Sequence, residues 1–270
     1  ITKLNHVIQR PLWLPTPLNR EFLASRKVVQ GALGRIIAER RYATEPKGDL
    51  LDMLLSARLE EGDQSFTEEQ LMVEMSSIVF AGHETTAETM TWLLYLLSQH
   101  PDVEEKVLAE LDAVLGDRTP TMADLEALTY LNQVINETLR LYPAAYIMTR
   151  ESVDEDRVGA YSLPAGAGVA INIIGIQRDP RYWEKPEQFW PEHFSAERTK
   201  ARHKAAFLPF GIGARKCIGE PLSRVEMQLI LATILQNYRL RLPLGTHIEP
   251  EAGFVLQPKD GLRMVLERRK

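Results

Sequence analysis

The chain has 270 residues, of which 44% are hydrophobic and 26% charged, the composition of a folded globular protein with ample core for one large domain. Its net charge of -5 argues against wholesale nucleic-acid binding. The single cysteine excludes an internal disulfide, and no apolar run reaches the length needed to span a membrane.

The periodicity of apolar residues predicts a mainly helical protein. Residues 1–18 contain three prolines and are predicted to form a loop. Beyond them, apolar side chains spaced three and four residues apart predict a series of helices. Their approximate bounds are Asn19–Arg41, Leu50–Leu55, Glu68–Gln99, Asp102–Leu115, Thr121–Leu128, Leu131–Tyr142 and Leu222–Leu235. Thr67 and Gln70 have the spacing of a capping box at the start of the longest helix.

The second half of the chain adds short β signals to this helical pattern. Strands are predicted at about residues 157–162 and 168–173, with a turn at Pro164–Gly166 between them, and near residues 238–242, 253–257 and 262–267. Four aromatic residues between these strands are interpreted as core anchors of an irregular segment. They are Trp183, Phe189, Trp190 and Phe194. The expected fold class is therefore mainly α with small β-sheets.

The middle of the longest helix carries the unusual stretch Ala81–Thr86, which reads A-G-H-E-T-T. Glycine and paired threonines are unfavourable inside a helix. The Thr85 hydroxyl could donate to the Ala81 carbonyl and bend the helix, which would open a small polar groove. The alternative is an ordinary helix with a tolerated polar notch.

Two further patterns follow in chain order. Glu137 and Arg140 are three residues apart and share one helix face, as an ordinary surface ion pair also would. The only cysteine, Cys217, lies in the glycine-rich stretch Phe210–Gly219 just before a predicted helix. The positive end of that helix favours a thiolate, which suits a metal ligand. A buried structural cysteine is the alternative.

Taken together, A-G-x-E-T, E-x-x-R and F-x-x-G-x-R-x-C-x-G resemble, in this order, the motifs of the cytochrome P-450 family. The resemblance implies a partial cytochrome P-450 fold, in which residues 1–270 form the C-terminal portion of a single domain whose N-terminal portion is absent. It implies haem b as the cofactor, with Cys217 as the axial iron ligand. Other residues expected to contact the haem are Arg215 and Arg150 at its propionates, and Phe210, Gly211, Gly219, Ala81 and Gly82.

The resemblance also assigns roles away from the iron. Thr85 would hold oxygen and a water for proton delivery, and Glu84 would relay protons from solvent. Glu137 and Arg140 would be buried and structural, with His193 at the position where the family most often has an arginine. Gln177 begins a stretch that resembles H-R-D-P with Gln in place of His. The expected substrate pocket is mostly apolar and comprises Val73, Ser77, Ala81, Tyr146, Ile147, Phe254 and Val255.

The implied function is a haem-thiolate monooxygenase that inserts one oxygen atom of O2 into a lipophilic substrate. Electrons would come from a ferredoxin, flavodoxin or reductase. The segment Arg198–Arg224 nets +6 and is interpreted either as a solvated basic loop or as the docking face for that acidic donor. The alternative function is a truncated, non-catalytic fragment with weak or no haem binding.

The expected location is cytoplasmic, for a soluble protein of the bacterial type. Residues 1–20 show no signal-peptide pattern. The chain does not begin with Met, however, so a membrane anchor before Ile1 stays open as an alternative.

Overall fold

The computed structural model describes residues 11–57 and 65–269. Of the loop predicted over residues 1–18, residues 1–10 lie outside the described residues, and the first helix already begins at Pro17. The chain consists of two compact units, residues 1–83 and 84–270. No helix within the described ranges is long and apolar enough to cross a bilayer.

Helices dominate the described residues, as predicted. Their bounds are α1 Pro17–Arg41, α2 Leu50–Ser56, α3 Glu68–Gln99, α4 Pro101–Leu115, α5 Thr129–Leu141, α6 Ile173–Ile176, α7 Ala196–Ala201 and α8 Glu220–Asn237. The capping box at the start of α3 is confirmed: the Thr67 amide donates to Gln70 Oε1 at 2.9 Å, and the Gln70 amide donates to Thr67 Oγ1 at 3.2 Å. The short helices α6 and α7 have too few residues to show a periodicity and were not predicted.

The prediction of a helix over residues 121–128 is wrong. Only a single 3-10 turn forms there, at Met122–Asp124. The Asp124 carboxylate accepts from the Thr121 amide at 2.8 Å and from Arg118 Nη1 at 2.7 Å. Asp124 therefore closes a local turn, and the chain does not continue as an α-helix.

The strands form four antiparallel pairs within the described residues. Their bounds are β1 Ile147–Glu151, β2 Asp156–Val158, β3 Tyr161–Leu163, β4 Gly168–Asn172, β5 Tyr238–Arg241, β6 Pro250–Ala252, β7 Leu256–Pro258 and β8 Val265–Arg268. The pairs are β1 with β4, β2 with β3, β5 with β8 and β6 with β7.

Two of the strand predictions need correction. The strand predicted over residues 157–162 is the hairpin β2–β3, because Gly159 at φ 61° reverses the chain inside it. The turn at residues 164–166 consequently does not join a strand pair: β4 pairs with the unpredicted β1, and Arg150 lies opposite Val169. The strand predicted over residues 253–257 is likewise interrupted, with β6 ending before it and β7 beginning at Leu256.

The core of the unit from residue 84 onward lies between the C-terminal half of α3 and the helices α4, α5 and α8. Its most deeply buried members include Leu93, Val107, Leu111, Leu131, Val134, Ile135 and Leu231. This core holds α5, which contains the E-x-x-R motif, and α8, which directly follows the cysteine motif. Tertiary packing of their apolar faces therefore sets the frame on which both motifs are mounted.

The unit that ends at His83 has a smaller core of its own, in which Ile37, Leu51 and Leu71 are buried. Asp49 caps α2 by accepting from the Leu51 amide at 3.1 Å. The Arg40 guanidinium contacts Asp49 at 2.5 Å and Asp52 at 2.7 Å, and its hydrogen bond lowers the pKa of Asp49 to about 2.

Candidate haem-thiolate site

The Glu137–Arg140 pair is completely buried on α5. Arg140 Nε donates to Glu137 Oε2 at 2.9 Å, and Nη2 donates to Glu137 Oε1 at 2.7 Å. This bidentate geometry is the strongest form of an ion pair between these side chains. The alternative of a solvent-exposed surface pair is therefore wrong.

Arg140 also contacts three backbone carbonyls of the segment that follows β4. Nη1 donates to the carbonyls of Gln177 at 3.0 Å and Pro186 at 2.6 Å, and Nη2 donates to that of Gln188 at 2.9 Å. Every nitrogen of the guanidinium thus has an acceptor. The pair gathers an irregular stretch around one buried cation, which explains how that stretch holds its shape without regular secondary structure.

His193 completes the polar cluster that we call the Arg140 network, formed by Glu137, Arg140, Gln177 and His193. Its Nδ1 lies 3.1 Å from Glu137 Oε1, and its Nε2 contacts the Glu184 carbonyl. Both contacts are hydrogen bonds only when the ring carries both protons. The Trp190 amide donates to Glu137 Oε1 at 2.9 Å as well, so the carboxylate is surrounded by donors.

The predicted aromatic anchors flank this network. Trp183 and Phe194 form a small buried cluster with Ala206, and Phe189 belongs to the main core. The guanidinium of Arg140 lies 4.9 Å from the Trp183 ring, and that of Arg202 lies 3.7 Å from it. Burial lowers the pKa of Arg202 to about 10. Trp190 is contacted by Lys185 and Arg198 in the same manner.

The Cys217 loop, residues 210–219, connects the irregular segment to α8. Gly211 and Gly213 adopt φ values of 73° and 76°, a conformation that side chains rarely tolerate. The Cys217 amide donates to the Phe210 carbonyl at 2.9 Å and closes the loop. The thiol is exposed, which contradicts the alternative of a buried structural cysteine. A Cβ added at Gly219 would lie 3.7 Å from the Cys217 sulfur, in ordinary van der Waals contact, so Gly219 lies directly beside the thiol.

Strand β1 lies beside this loop. A Cβ at Gly211 would lie 3.5 Å from the Met148 sulfur, and Arg150 follows two residues later on the same face of β1. Arg150 Nη1 donates to the Thr149 carbonyl at 2.8 Å, while Arg215 is exposed within the loop itself. Neither arginine forms an ion pair with any carboxylate in residues 11–57 and 65–269.

The A-G-x-E-T stretch lies within the uninterrupted helix α3. Ala81 and Gly82 are exposed, and Glu84 and Thr85 are half-buried. One oxygen of Glu84 is buried and has no hydrogen-bond partner in the described part of the chain, and the same holds for Glu88. The hydrogen bond from Thr85 to Ala81, and the resulting bend, stay predictions.

Glu88 was missed in the sequence. Burial raises its pKa, and the charge of Glu84 raises it further. The signal that could have revealed it is the spacing of four residues, which places both carboxyls on one face of α3. The helix therefore carries a pair of like-charged groups next to Thr85.

The predicted substrate residues fall into two sets, one in each unit. Val73 and Ser77 are exposed on α3, and the Ser77 hydroxyl donates to the Val73 carbonyl at 2.8 Å. In the other unit, the Tyr146 hydroxyl donates to the Gly253 carbonyl at 2.8 Å, which joins the residue before β1 to the turn that holds Phe254. Ile147 and Phe254 are exposed, but Val255 is 2% exposed and lies within the packing.

A cleft of about 1070 Å³ lies elsewhere in the unit from residue 84 onward. Its walls come from the start of α5, from α7 and the loop after it, and from α8, and they include Asn132, Lys200, Arg202, Lys204 and Arg224. None of the predicted substrate residues lines it. The cleft is thus bordered by the basic segment that precedes the Cys217 loop.

Part of that basic segment is neutralised by nearby carboxylates. Arg198 contacts Glu184 at 2.7 Å, and Glu220 accepts from Lys216 at 2.6 Å and from Arg224 at 2.9 Å. Lys200, Lys204 and Arg215 form no ion pair within the portion of the chain that the structure covers. The positive charge left for an external partner is therefore smaller than the sequence total of +6.

The fold has close counterparts among solved structures. The crystal structure of cytochrome P450DA heme domain superposes with a TM-score of 0.87 and 29% identity, covering 93% of this chain and 56% of that one. A second cytochrome P450 (CYP102L1) gives a TM-score of 0.89 and 26% identity, covering 98% and 62%. The fold and the glycine-rich thiol loop thus define a protein of the haem-thiolate class.

Comparison of the sequence with those of known proteins leads to the same class of protein. The family model described as Cytochrome P450 matches residues 2–264, and the chain belongs to the cytochrome P450 family. Cyclooctat-9-en-7-ol 5-monooxygenase of Streptomyces melanosporofaciens is 38% identical over 233 residues, which is 86% of this chain and 51% of the relative. Cytochrome P450 4V2 of Homo sapiens is 38% identical over 226 residues, covering 81% and 42%. The chain spans about half the length of the curated relatives it matches.

Family membership implies a haem cofactor, and the residues at the Cys217 loop fit one. A thiolate is a soft ligand suited to iron, and two arginines that have no carboxylate partner in the described part of the chain suit two propionates. The Ile218 side chain is 94% exposed next to the thiol. No group of three or more His, Cys, Asp or Glu within the described ranges could hold a metal ion.

Proposed function

We propose that the protein is a haem-thiolate monooxygenase that inserts one oxygen atom of O2 into a lipophilic substrate. The observation that carries the proposal is the Cys217 loop, where a single exposed thiol lies on a turn shaped by glycines, beside two arginines that form no ion pair within residues 11–57 and 65–269. The monooxygenase in the name of the Streptomyces melanosporofaciens relative supports the same reaction class. Both units would belong to one partial domain of this kind.

Each candidate residue has a proposed part. The Cys217 sulfur would ligate the iron of haem b, and Arg150 and Arg215 would hold its propionates. Phe210, Gly211, Gly219, Ala81 and Gly82 would give the macrocycle room. Bound haem would supply the oxygen chemistry, and the chain would control its protons and its geometry.

Proton delivery is proposed for two neighbouring residues of α3. The Glu84 carboxyl would pass protons inward, because one of its oxygens is buried, has no hydrogen-bond partner among the residues that the structure describes, and could accept from a water or a hydroxyl. The Thr85 hydroxyl, half-buried next to it, would orient the final donor. An acid followed by a hydroxyl, as in Glu84 and Thr85, can deliver protons from solvent to one defined position in the site.

The proposed substrate is lipophilic because the candidate pocket residues are mostly apolar. Val73, Ser77 and Ala81 would contribute from α3, and Tyr146, Ile147 and Phe254 from the segments joined by the Tyr146–Gly253 hydrogen bond. Val255 would support the turn from behind, since it is buried. An apolar pocket recognises shape and size more than polar groups.

The proposed electron donor is an acidic protein of the ferredoxin, flavodoxin or reductase type. Its docking surface would be the cleft between α5, α7 and α8, which we call the basic cleft. Lys200 and Lys204 line this cleft and have no ion-pair partners in the described residues. Attraction between opposite charges would speed the encounter and make it sensitive to salt. A reducing compartment, as in the cytoplasm, fits a protein that depends on a free thiol.

The first test is the absorption spectrum of the reduced protein under carbon monoxide. We expect the strongly red-shifted Soret band of a thiolate-ligated haem. A haem band without that shift would contradict Cys217 as the ligand. A protein that binds no haem at all would support the alternative function, a non-catalytic fragment.

A further inference from the structure

A single buried side chain links the Arg140 network to the Cys217 loop. Gln177, at the end of α6, is completely buried. Its backbone carbonyl accepts from Arg140 Nη1 at 3.0 Å, and its side chain reaches in two further directions. It therefore touches both regions that carry the candidate function.

On one side the Gln177 amide nitrogen serves the end of α5. Nε2 donates to the Leu139 carbonyl at 2.9 Å and to the Arg140 carbonyl at 3.1 Å. These carbonyls belong to the last turn of α5, where no intrahelical donor is left for them. Both are buried, so they need a partner from elsewhere in the chain.

On the other side the Gln177 amide oxygen holds the approach to the Cys217 loop. Oε1 accepts from the Leu208 amide at 2.9 Å, two residues before the loop begins. The Leu208 carbonyl in turn accepts from the Gly211 amide at 3.1 Å, and the Phe210 carbonyl accepts from the Cys217 amide at 2.9 Å. The orientation of the loop thus starts from a backbone amide that Gln177 fixes.

We propose that Gln177 is a positioning residue for the thiolate ligand, because its carboxamide couples the end of α5 to the backbone that presents Cys217. Only a side chain with two donors and one acceptor, at this length, satisfies all three buried groups. A carboxylate lacks the donors, and a thioether lacks every hydrogen bond. An imidazole has one donor and one acceptor and preserves part of the link.

The chain contains a matched control. Gln236 is also buried, and its Nε2 also donates to two backbone carbonyls, those of Gly116 at 2.6 Å and Arg118 at 3.1 Å. It lies at the far end of α8 and makes no hydrogen bond to residues 206–219 within the described structure. Replacing either glutamine with methionine keeps the volume and deletes the bonds.

The test compares Q177M, Q177H and Q236M in the full-length protein by hydrogen exchange and by the carbon monoxide spectrum. For Q177M we expect exchange of the amides at residues 208–217 to become at least about tenfold faster. The red-shifted band of its holoprotein should partly convert to that of a haem without thiolate. Q177H should be intermediate on both measures, and Q236M should resemble the parent protein in this segment.

The inference rests on the proposed function, which makes Cys217 the thiolate ligand, whereas the exchange comparison tests separately whether Gln177 holds the loop. If the parent protein shows no red-shifted band, the proposed function fails while the exchange comparison still decides the role of Gln177. Equal exchange in residues 208–217 for the parent and Q177M would overturn the inference. If Q177M does not fold, Q177H decides it: exchange no faster than in Q236M overturns it, and faster exchange confined to this segment supports it.

Discussion

The Arg140 network and the Cys217 loop are connected by hydrogen bonds through Gln177 and Leu208, but they differ in burial and in how many of their polar groups have partners. Every polar atom of Glu137 and Arg140 has a partner within the chain, and both residues are fully buried. The Cys217 thiol and Arg215 are exposed, and Arg215 lacks a carboxylate partner in the described residues. The Glu137–Arg140 pair thus has hydrogen-bond partners for all of its polar atoms, whereas the Cys217 loop presents an exposed thiol and an exposed guanidinium that could bind a ligand.

This difference separates scaffold from site. A buried ion pair costs desolvation energy, and full hydrogen bonding offsets that cost, so its role is to fix one arrangement of the chain. An exposed thiol and exposed cations do not stabilise the fold. The Cys217 loop is nevertheless held in a defined shape by glycines with positive φ and by backbone hydrogen bonds. Such a combination is typical of a binding site that is formed in advance.

The largest expected effect is the loss of the ligand. C217S in the full-length protein should abolish the red-shifted carbon monoxide band completely, because a serine hydroxyl is not a thiolate. The fold should persist, since the thiol is exposed and packs little. A214S, in the same loop, is the control and should keep the band. A red-shifted band in C217S would remove the basis of the site.

The next effect in size concerns stability. R140L leaves the Glu137 carboxylate buried without its main partner and should lower the free energy of unfolding by about 3–5 kcal/mol. Urea denaturation followed by circular dichroism measures it. R198A, which breaks the exposed pair with Glu184, should change stability little. Equal losses in the two variants would mean that burial does not distinguish the Arg140 network.

A smaller and purely functional effect is expected at α3. T85A should leave haem binding and stability near those of the parent protein. It should divert electrons from product to hydrogen peroxide, because the final proton donor loses its orientation. The ratio of product formed to electron donor consumed is the measurement. Full coupling in T85A would exclude the relay role proposed for this hydroxyl.

The pH dependence of stability should be sensitive to Glu88. The pKa of its carboxyl is raised above the ordinary value of 4.5 in the folded protein, mainly by burial. The folded state therefore binds this proton more tightly than the unfolded state, and stability falls as pH rises from 4.5 through the raised pKa. E88Q should flatten that fall, measured as the urea midpoint from pH 4.5 to neutrality. E74Q, at an exposed position of the same helix, should not alter the slope.

The smallest expected effect lies at the basic cleft. K200E together with K204E should slow reduction by an acidic electron donor and weaken the dependence of that rate on salt. The carbon monoxide spectrum should not change, because neither lysine belongs to the Cys217 loop. Stopped-flow reduction at several ionic strengths gives the answer. An unchanged salt dependence would place the donor on another surface.

Local sequence signals predicted the long helices well. The capping box at Thr67, the prolines and the apolar spacing all act within a few residues, so α1, α3, α4 and α8 could be located from the sequence. The glycine-rich cysteine stretch was equally readable, because its turns depend on glycine at specific positions. The strand pairing of β1 with β4 was not readable, since it joins segments that are separated by an entire hairpin.

Particular residues show the same limit within the site. In the sequence Gln177 stood out only as a departure from the H-R-D-P pattern, but its side chain spans from α5 to Leu208. Glu88 carried no motif, and only burial beside Glu84 distinguishes it from other acidic residues. Val255 stays a predicted pocket residue, and only the structure shows that it is buried. Each of these properties depends on contacts between distant segments.

The sequence by itself determined which chemical groups are present: one thiol, its glycine-rich frame, an acid followed by a hydroxyl, and a glutamate and an arginine spaced for one helix face. Spacing along the chain encodes these features because backbone geometry is local. Tertiary structure alone decided which groups are partnered and which stay open. Burial and hydrogen bonding between remote residues give Arg140 a full set of partners and leave the Cys217 thiol exposed.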